Sequence, residues 1–249
     1  MAAYRTLCQQ FYDADKGFAG ADEVRWYASR LPRDAGPVLE AMCGSGRLLL
    51  PLLREGFHAH GVDDAPAMLA ACEARVAAEG FAVPLFRQDV ATLNLPFRYG
   101  AAIVAAGSLQ LLVEAERMRS ALERLRAHLV PPGRLLLDLD VPDVALHPPG
   151  APVVEVRSVR LADGGRIVLH SETSVDKDAR HIDVRNRYER RGGAGAALRE
   201  DETLGLTWLD AEEIAALLVA TRFVDVTILP SPWPRGAGSY AVSARIDGP

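Results

Sequence analysis

Apolar and polar positions repeat with two different periods along this chain, and the change of period divides it. Between residues 36 and 140 short apolar runs at 37–40, 58–62, 83–86, 101–106 and 134–139 alternate with stretches of helical spacing. Apolar runs of this length bounded by turn residues are buried strands, and helices between them imply a parallel sheet. The predicted helices cover 48–53, with Gly56 placed to end it, 66–79, with Pro66 in its first turn, and 114–129. From 153 to 206 the period becomes two. Four strands are predicted there, at 153–161, 166–173, 181–190 and 198–206. Asp163-Gly164-Gly165 and Gly192-Gly193-Ala194-Gly195 supply the hairpin turns. Asp210-Ala211-Glu212-Glu213 is a capping box opening a helix to Ala220, followed by strands at 224–229 and 239–245. Two short helices, 6–12 and 22–30, precede everything else. The pattern predicts an α/β fold with an antiparallel sheet inserted after the fifth strand.

Composition narrows the function. With 249 residues, 49% hydrophobic and 24% charged, the chain can bury one large α/β core with additions. A net charge of −5 without a block of like charges argues against a nucleic-acid partner. No apolar stretch approaches bilayer length and no amino-terminal segment reads as a leader, so a cytoplasmic protein without a membrane partner is expected. Cys8, Cys43 and Cys72 are scattered and odd in number, which supports neither a disulfide framework nor a zinc site. His58 and His60 share a strand face with no further ligand nearby. No metal is expected.

The chemistry concentrates between Val38 and Leu69. The first strand ends in Glu40, Cys43-Gly44-Ser45-Gly46 forms a tight turn, and Asp63 lies at the tip of the second strand, 19 residues past Gly44. At that spacing a carboxylate reaches the ribose hydroxyls of a nucleoside lying across two parallel strands. A dinucleotide needs a third glycine and a helix N-terminus for its pyrophosphate. Here Leu49 takes the third position, and Glu40 repels phosphate while suiting a ligand with an ammonium and a sulfonium. The charge pattern favours S-adenosylmethionine (SAM) over NAD. Ser108 and Gln110 leave the carboxyl end of the fourth strand, where ligands of open α/β sheets bind.

These residues resemble the class I SAM-dependent methyltransferases. The stretch Glu40-x-Met42-Cys43-Gly44-Ser45-Gly46-Arg47, followed by Gly61-Val62-Asp63-x-x-Pro66-x-Met68-Leu69, is similar to the small-molecule branch reading Glu-x-Met-Cys-Gly-Ser/Thr-Gly-Arg. Met42 stands where the wider family has its first glycine. The resemblance covers 36–140 well and 208–246 in outline. It implies a Rossmann-like sheet of seven strands, the last antiparallel, with the inserted sheet as an addition. The implied organisation is a helical cap (1–35), a SAM-binding core (36–150), the inserted sheet (151–207) and the rest of the core (208–249). SAM would be held by Glu40, Ala41, Met42, Gly44, Gly46, Asp63, Asp64, Met68, Asp89, Val90 and Ala106, with Asp89 on the adenine amine. Gly44 and Gly46 are expected to lie against it. Tyr12 of Tyr12-Asp13 matches the tyrosine that closes over the cofactor.

The acceptor implied is a small molecule, methylated on nitrogen or oxygen. The inserted sheet resembles that of amino-sugar N-methylating enzymes, where it shapes the acceptor pocket or joins two subunits, so a homodimer is a second expectation. Methyl transfer from sulfonium is an in-line displacement that depends mainly on positioning. No residue stands out as general base; Tyr12, Ser108 and His170 are the catalytic candidates, with His181 beside them. Two other readings stay open. An NAD(P)-dependent oxidoreductase is opposed by Leu49 and Glu40. A scaffold that binds the nucleoside without transferring a methyl group is consistent with Met42 and the missing base.

Overall fold

Strands buried on both faces need helices on each side, and the described residues are arranged that way. The structure is a computed structural model that describes residues 4–143, 151–234 and 238–248. Strands β1 (Val38–Ala41), β2 (Ala59–Asp63), β3 (Leu85–Arg87), β4 (Tyr99–Val104), β5 (Leu129–Asp140), β10 (Val224–Pro230) and β11 (Ser239–Arg245) form one sheet in the order β10-β11-β5-β4-β1-β2-β3. The pairings β1·β2, β1·β4, β2·β3 and β4·β5 are parallel, while β11 is antiparallel to both β5 and β10. This is the Rossmann-like sheet with a reversed last strand. Helices α3 (Leu49–Arg54), α4 (Pro66–Ala78), α5 (Ala115–His128) and α6 (Ala211–Ala220) connect its strands, and α6 starts with the capping box at Asp210 and Glu213.

Strands β6 (Val153–Arg160), β7 (Arg166–Asp176), β8 (His181–Arg191) and β9 (Leu198–Thr207) make the separate antiparallel sheet, paired in chain order. Most of the Pro-rich connection leading into it, 144–150, lies outside the described residues, as does the tip of the last hairpin at 235–237. β1, β2 and β10 differ from their predicted bounds by one residue, β4 is shifted back by two to Tyr99–Val104, and β3 and β5 differ as well. β3 is displaced to Leu85–Arg87, and β5 begins at Leu129, because Leu129 already pairs with Tyr99 before the ladder shifts register. Apolarity cannot register that extension, since it runs through Pro131, Pro132 and Gly133.

The first helix, α1 (Thr6–Lys16), is wedged between the two sheets. Its buried face of Leu7, Cys8 and Phe11 packs on Ile167, Leu169 and Tyr188 of the inserted sheet. Glu200 and Glu202, from β9, accept hydrogen bonds from the amides of Leu7 and Arg5, at 2.7 and 3.4 Å, and so satisfy donors that the helix start leaves unpaired. At its other end Asp13 pairs with Arg75 of α4 at 2.9 Å and accepts from the Ser45 hydroxyl. The second helix, α2 (Ala21–Ala28), buries Tyr27, whose hydroxyl donates to Asp138 at 2.7 Å; Asp138 also accepts from the amide of Ala106 at 2.7 Å. These ties bring both amino-terminal helices onto the carboxyl ends of β1, β4 and β5.

Candidate functional site

One cavity opens at those carboxyl ends. It is lined by Tyr4, Tyr12, Glu40, Met42, Cys43, Gly44, Arg47, Asp63, Asp64, Met68, Ala105, Ala106, Gly107, Ser108, Leu111 and Leu206. Of the predicted cofactor-binding residues, Glu40, Met42, Gly44, Asp63, Asp64, Met68 and Ala106 therefore share one wall system. Ala41, Gly46, Asp89 and Val90 do not line it.

The turn after β1 is bent through a succession of left-handed residues. Met42, Gly44 and Gly46 have φ of 58°, 55° and 81°. A methionine in that conformation carries a small backbone cost, which explains the glycine of the wider pattern. Gly44 presents open space, and its amide donates to Asp63 at 2.7 Å. Gly46 faces the opposite way: a Cβ there would lie 2.8 Å from the Cys72 sulfur of α4. The expected contact of Gly46 with a ligand is thus replaced by close packing of turn on helix.

Glu40 is 3% exposed, and its Oε2 has no hydrogen-bond partner among the described residues. Burial pushes its carboxyl well above the ordinary range, the nearby Cys72 adds to this, and Arg47 opposes it. A buried carboxylate oxygen facing a cavity without a partner is costly unless a cation reaches it. Arg47, 5% exposed, is held end-on by Glu23, with Nη1 2.8 Å from Oε2 and Nη2 on Oε1. Burial opposes its charge, and the hydrogen bonds and charge of Glu23 more than offset that, so its pKa is raised. Glu40 and Arg47 place an acceptor oxygen group and a fixed cation on the same cavity wall. That arrangement suits the ammonium and carboxylate of an amino-acid end group.

The acidic tip of β2 divides its labour. Both oxygens of Asp63 already accept backbone amides, Oδ2 from Gly44 and Oδ1 from Ala65 at 2.9 Å, so it braces the turn against the start of α4. Asp64 is exposed as a residue, yet partial desolvation of its carboxyl on the cavity wall, and then the charge of Asp89, raise it. Asp89 itself caps the turn Val90–Thr92 through the Ala91 amide at 2.9 Å and pairs with Arg117 at 2.8 Å. It sits near Asp64 but outside the cavity, and Val90 is part of the core.

The catalytic candidates separate. Tyr12 lines the cavity against Arg47, and burial raises its phenol, so it is protonated at neutral pH. Ser108 also lines it, donating to the Ala105 carbonyl at 2.7 Å. His170 is elsewhere. Its neighbours Ile167 and Leu169 face α1, and alternation turns His170 to the opposite side of the sheet, opposite Val156 and Arg187. His181 pairs with Asp183 at 3.2 Å. Gln110, expected at the reaction space, is a tie: its Nε2 donates to the carbonyls of Asp140 and Thr207 at 2.8 and 2.9 Å, and its Oε1 accepts the Asp140 amide at 2.9 Å. It fastens the end of β9 to the core, which is what carries Leu206 to the cavity.

Tyr4, Arg47, Leu111 and Leu206 were not singled out from sequence. Arg47 could have been, as the cation closing the glycine turn; Tyr4 and Leu206 arrive through tertiary contacts that no local pattern records. Among the described residues, no group of three or more His, Cys, Asp or Glu side chains could hold a metal ion, and no helix is long and apolar enough to cross a membrane.

Residues 38–133 match the family described as "Methyltransferase domain". A protein of Geobacillus sp. (strain WCH70) that bears a provisional methyltransferase name is 30% identical over 128 residues, 51% of this chain and 50% of that protein. The chain thus spans about half the length of the curated relative it matches. A SAM-dependent methyltransferase from Clostridium acetobutylicum ATCC 824 superimposes with a TM-score of 0.77 at 14% identity, covering 95% of this chain and 96% of the other. The glycopeptide N-methyltransferase MtfA, solved with SAM, is 25% identical with a TM-score of 0.58, covering 92% and 95%. The site just described lies at the carboxyl ends of a sheet whose central segment matches a methyltransferase domain and whose full topology is that of SAM-dependent methyltransferases.

Proposed function

We propose that this chain is a SAM-dependent methyltransferase acting on a nitrogen of a small-molecule acceptor. The observation that carries the reading is the unpartnered Glu40 oxygen beside the fixed Arg47 guanidinium. Together they fit the ammonium and carboxylate of the methionine end. SAM, when bound, supplies a methyl group already activated on sulfur. The residues here supply positioning. Glu40 and Arg47 would anchor one end, Asp64 at the tip of β2 would take the ribose, and Tyr12, Ala106 and Ser108 line the same cavity. The lone pair of the acceptor nitrogen would take the methyl group from SAM held there, the bonding pair staying on sulfur, and the proton released from that nitrogen would pass to solvent. With Tyr12 protonated and the cavity's carboxyl groups at Glu40, Asp63 and Asp64 assigned to the cofactor and the turn, the acceptor nitrogen is read as arriving neutral, so activity is expected to rise with pH until the acceptor amine is deprotonated. The glycopeptide N-methyltransferase among the similar structures supports nitrogen as the acceptor.

The test is direct. SAM and S-adenosylhomocysteine should raise the melting temperature while NADH does not, and labelled SAM should lose its methyl group to amine-bearing small molecules. Stabilisation by NADH alone would overturn the reading, and SAM binding without transfer to any acceptor would leave a scaffold. Asp63 and Asp64 give a finer check. Asp64→Ala is expected to weaken S-adenosylhomocysteine roughly tenfold with an unchanged melt, since a hydrogen bond to a charged group is worth about 1.5–3 kcal/mol. Asp63→Ala should lower both affinity and stability, because it also unties the turn. Calorimetry and thermal melts separate the two.

The inserted sheet is read here as the site of a homodimer. β6 is an edge strand of eight residues with an unbroken register, and Val154 and Val156 on it are each 61% exposed. Such an edge invites strand addition. Sedimentation should find two copies, and Val156→Lys should give one.

A further inference from the structure

Trp233 lies in the connection between β10 and β11, far along the chain from the glycine turn, and it does not line the cavity. Its indole nevertheless covers the Arg47 guanidinium, whose central carbon is 4.1 Å from the ring centroid. The same ring carries the ammonium of Lys16, the last residue of α1, at 5.8 Å. Arg47 is therefore restrained on two sides by different means. Glu23 grips its two terminal nitrogens in the plane, and the indole presses on its face.

We propose that Trp233 is a positioning residue that orients the Arg47 guanidinium toward the carboxylate of the bound methionine end. This rests on the reading that the cavity takes SAM. A guanidinium held only by Glu23 can still rock about that edge; a flat π surface fixes its plane, and cation–π attraction is strongest for tryptophan and for desolvated pairs. With the plane fixed, the directions of the donors that Glu23 does not use are fixed as well, and Arg47 lines the cavity together with Tyr12 and Glu40. Trp233 also touches both Arg47 and the end of α1, so the carboxylate anchor and the helix bearing Tyr12 are set against one ring.

The test compares two ligands that share the nucleoside and thioether but differ in the amino-acid end. S-adenosylhomocysteine has the carboxylate; methylthioadenosine lacks the whole amino-acid portion. Trp233→Ala is expected to raise the Kd of S-adenosylhomocysteine roughly tenfold, in line with the strength of a desolvated cation–π contact. Methylthioadenosine should stay within about twofold of wild type, and Trp233→Phe, which keeps a smaller ring, should fall between. In an Arg47→Gln background the Trp233→Ala change should add nothing. Equal weakening of both ligands would make Trp233 plain packing and overturn the proposal, as would unchanged affinity for S-adenosylhomocysteine. If Trp233→Ala fails to fold by circular dichroism, Trp233→Phe carries the comparison. If the wild-type protein binds neither compound, the nucleoside reading of the cavity fails first and the clamp falls with it.

Discussion

Replacing Gly46 by valine is expected to destabilise the protein by roughly 2–6 kcal/mol, lowering its melting temperature before any ligand is added. Two costs combine. Gly46 has φ of 81°, a conformation that a β-branched residue adopts only with strain of order 1–3 kcal/mol. Its new Cβ would also lie 2.8 Å from the sulfur of Cys72, a fully buried residue of α4, and overpacking of this kind costs about 1–3 kcal/mol. For a chain of this length each kcal/mol is worth roughly 2–4 °C, so a fall of about 4–24 °C follows. A Gly46 that only lay against SAM, as the sequence pattern suggests, would instead give a folded variant with lost affinity. The geometry changes the readout from affinity to stability. Adding Cys72→Ala to the valine variant should recover the packing part and leave the backbone strain. An unchanged melting curve for Gly46→Val would mean that the turn relaxes away from α4.

The core was readable because its strands are buried on both faces and become short apolar runs, and because Gly56, Pro66 and the capping box at Asp210 punctuate the helices. The inserted sheet was readable from its glycine turns and its period of two. What the pattern did not reveal is which side of that sheet faces inward. Its inner face buries polar groups, Asn186 and Glu202 among them, next to Leu169 and Tyr188. Polarity therefore does not distinguish inside from outside there, and His170 looked as available to the cavity as Leu206.

The site divides in the same way. Residues whose role follows from local spacing, Glu40, Gly44 and Asp63, fall on the cavity. Residues whose partners are distant in sequence carry ties that spacing does not reveal. Gln110 has the address of a substrate contact, but its bond to Thr207 spans 97 positions and makes it a fastener. Asp89 has the address of an adenine ligand, and its oxygens are engaged by Ala91 and Arg117. In both cases a polar side chain at a strand end meets an unpaired backbone group or a charge before it meets a ligand. Side chains at such positions satisfy the fold first.

Glu40→Gln should make the ligand-free protein more stable at neutral pH and, at the same time, a much weaker binder of SAM. The sign follows from the direction of its shift. An unfolded glutamate titrates near its ordinary value of about 4.3, whereas in the fold burial raises the Glu40 carboxyl well above that. Below the ordinary value both states are protonated, and the residue contributes nothing to the pH dependence. As pH rises from there through the raised folded value, the unfolded state ionises first and stability is progressively lost. Above it the full penalty of a buried charge remains. Glutamine carries no such penalty, so the variant should melt higher than wild type at pH 8, with the gap narrowing toward pH 4. Ligand reverses the order. An ammonium at Oε2 would satisfy the oxygen that has no partner among the described residues, and a bond to a charged group of about 1.5–3 kcal/mol corresponds to roughly 10- to 100-fold in Kd. S-adenosylhomocysteine should therefore bind the variant that much more weakly, while methylthioadenosine, without an ammonium, binds both alike. Thermal melts across pH and calorimetry on the two ligands check both halves. A variant that melts lower at pH 8 and binds S-adenosylhomocysteine like wild type would show that Glu40 is held by the protein and not by the ligand.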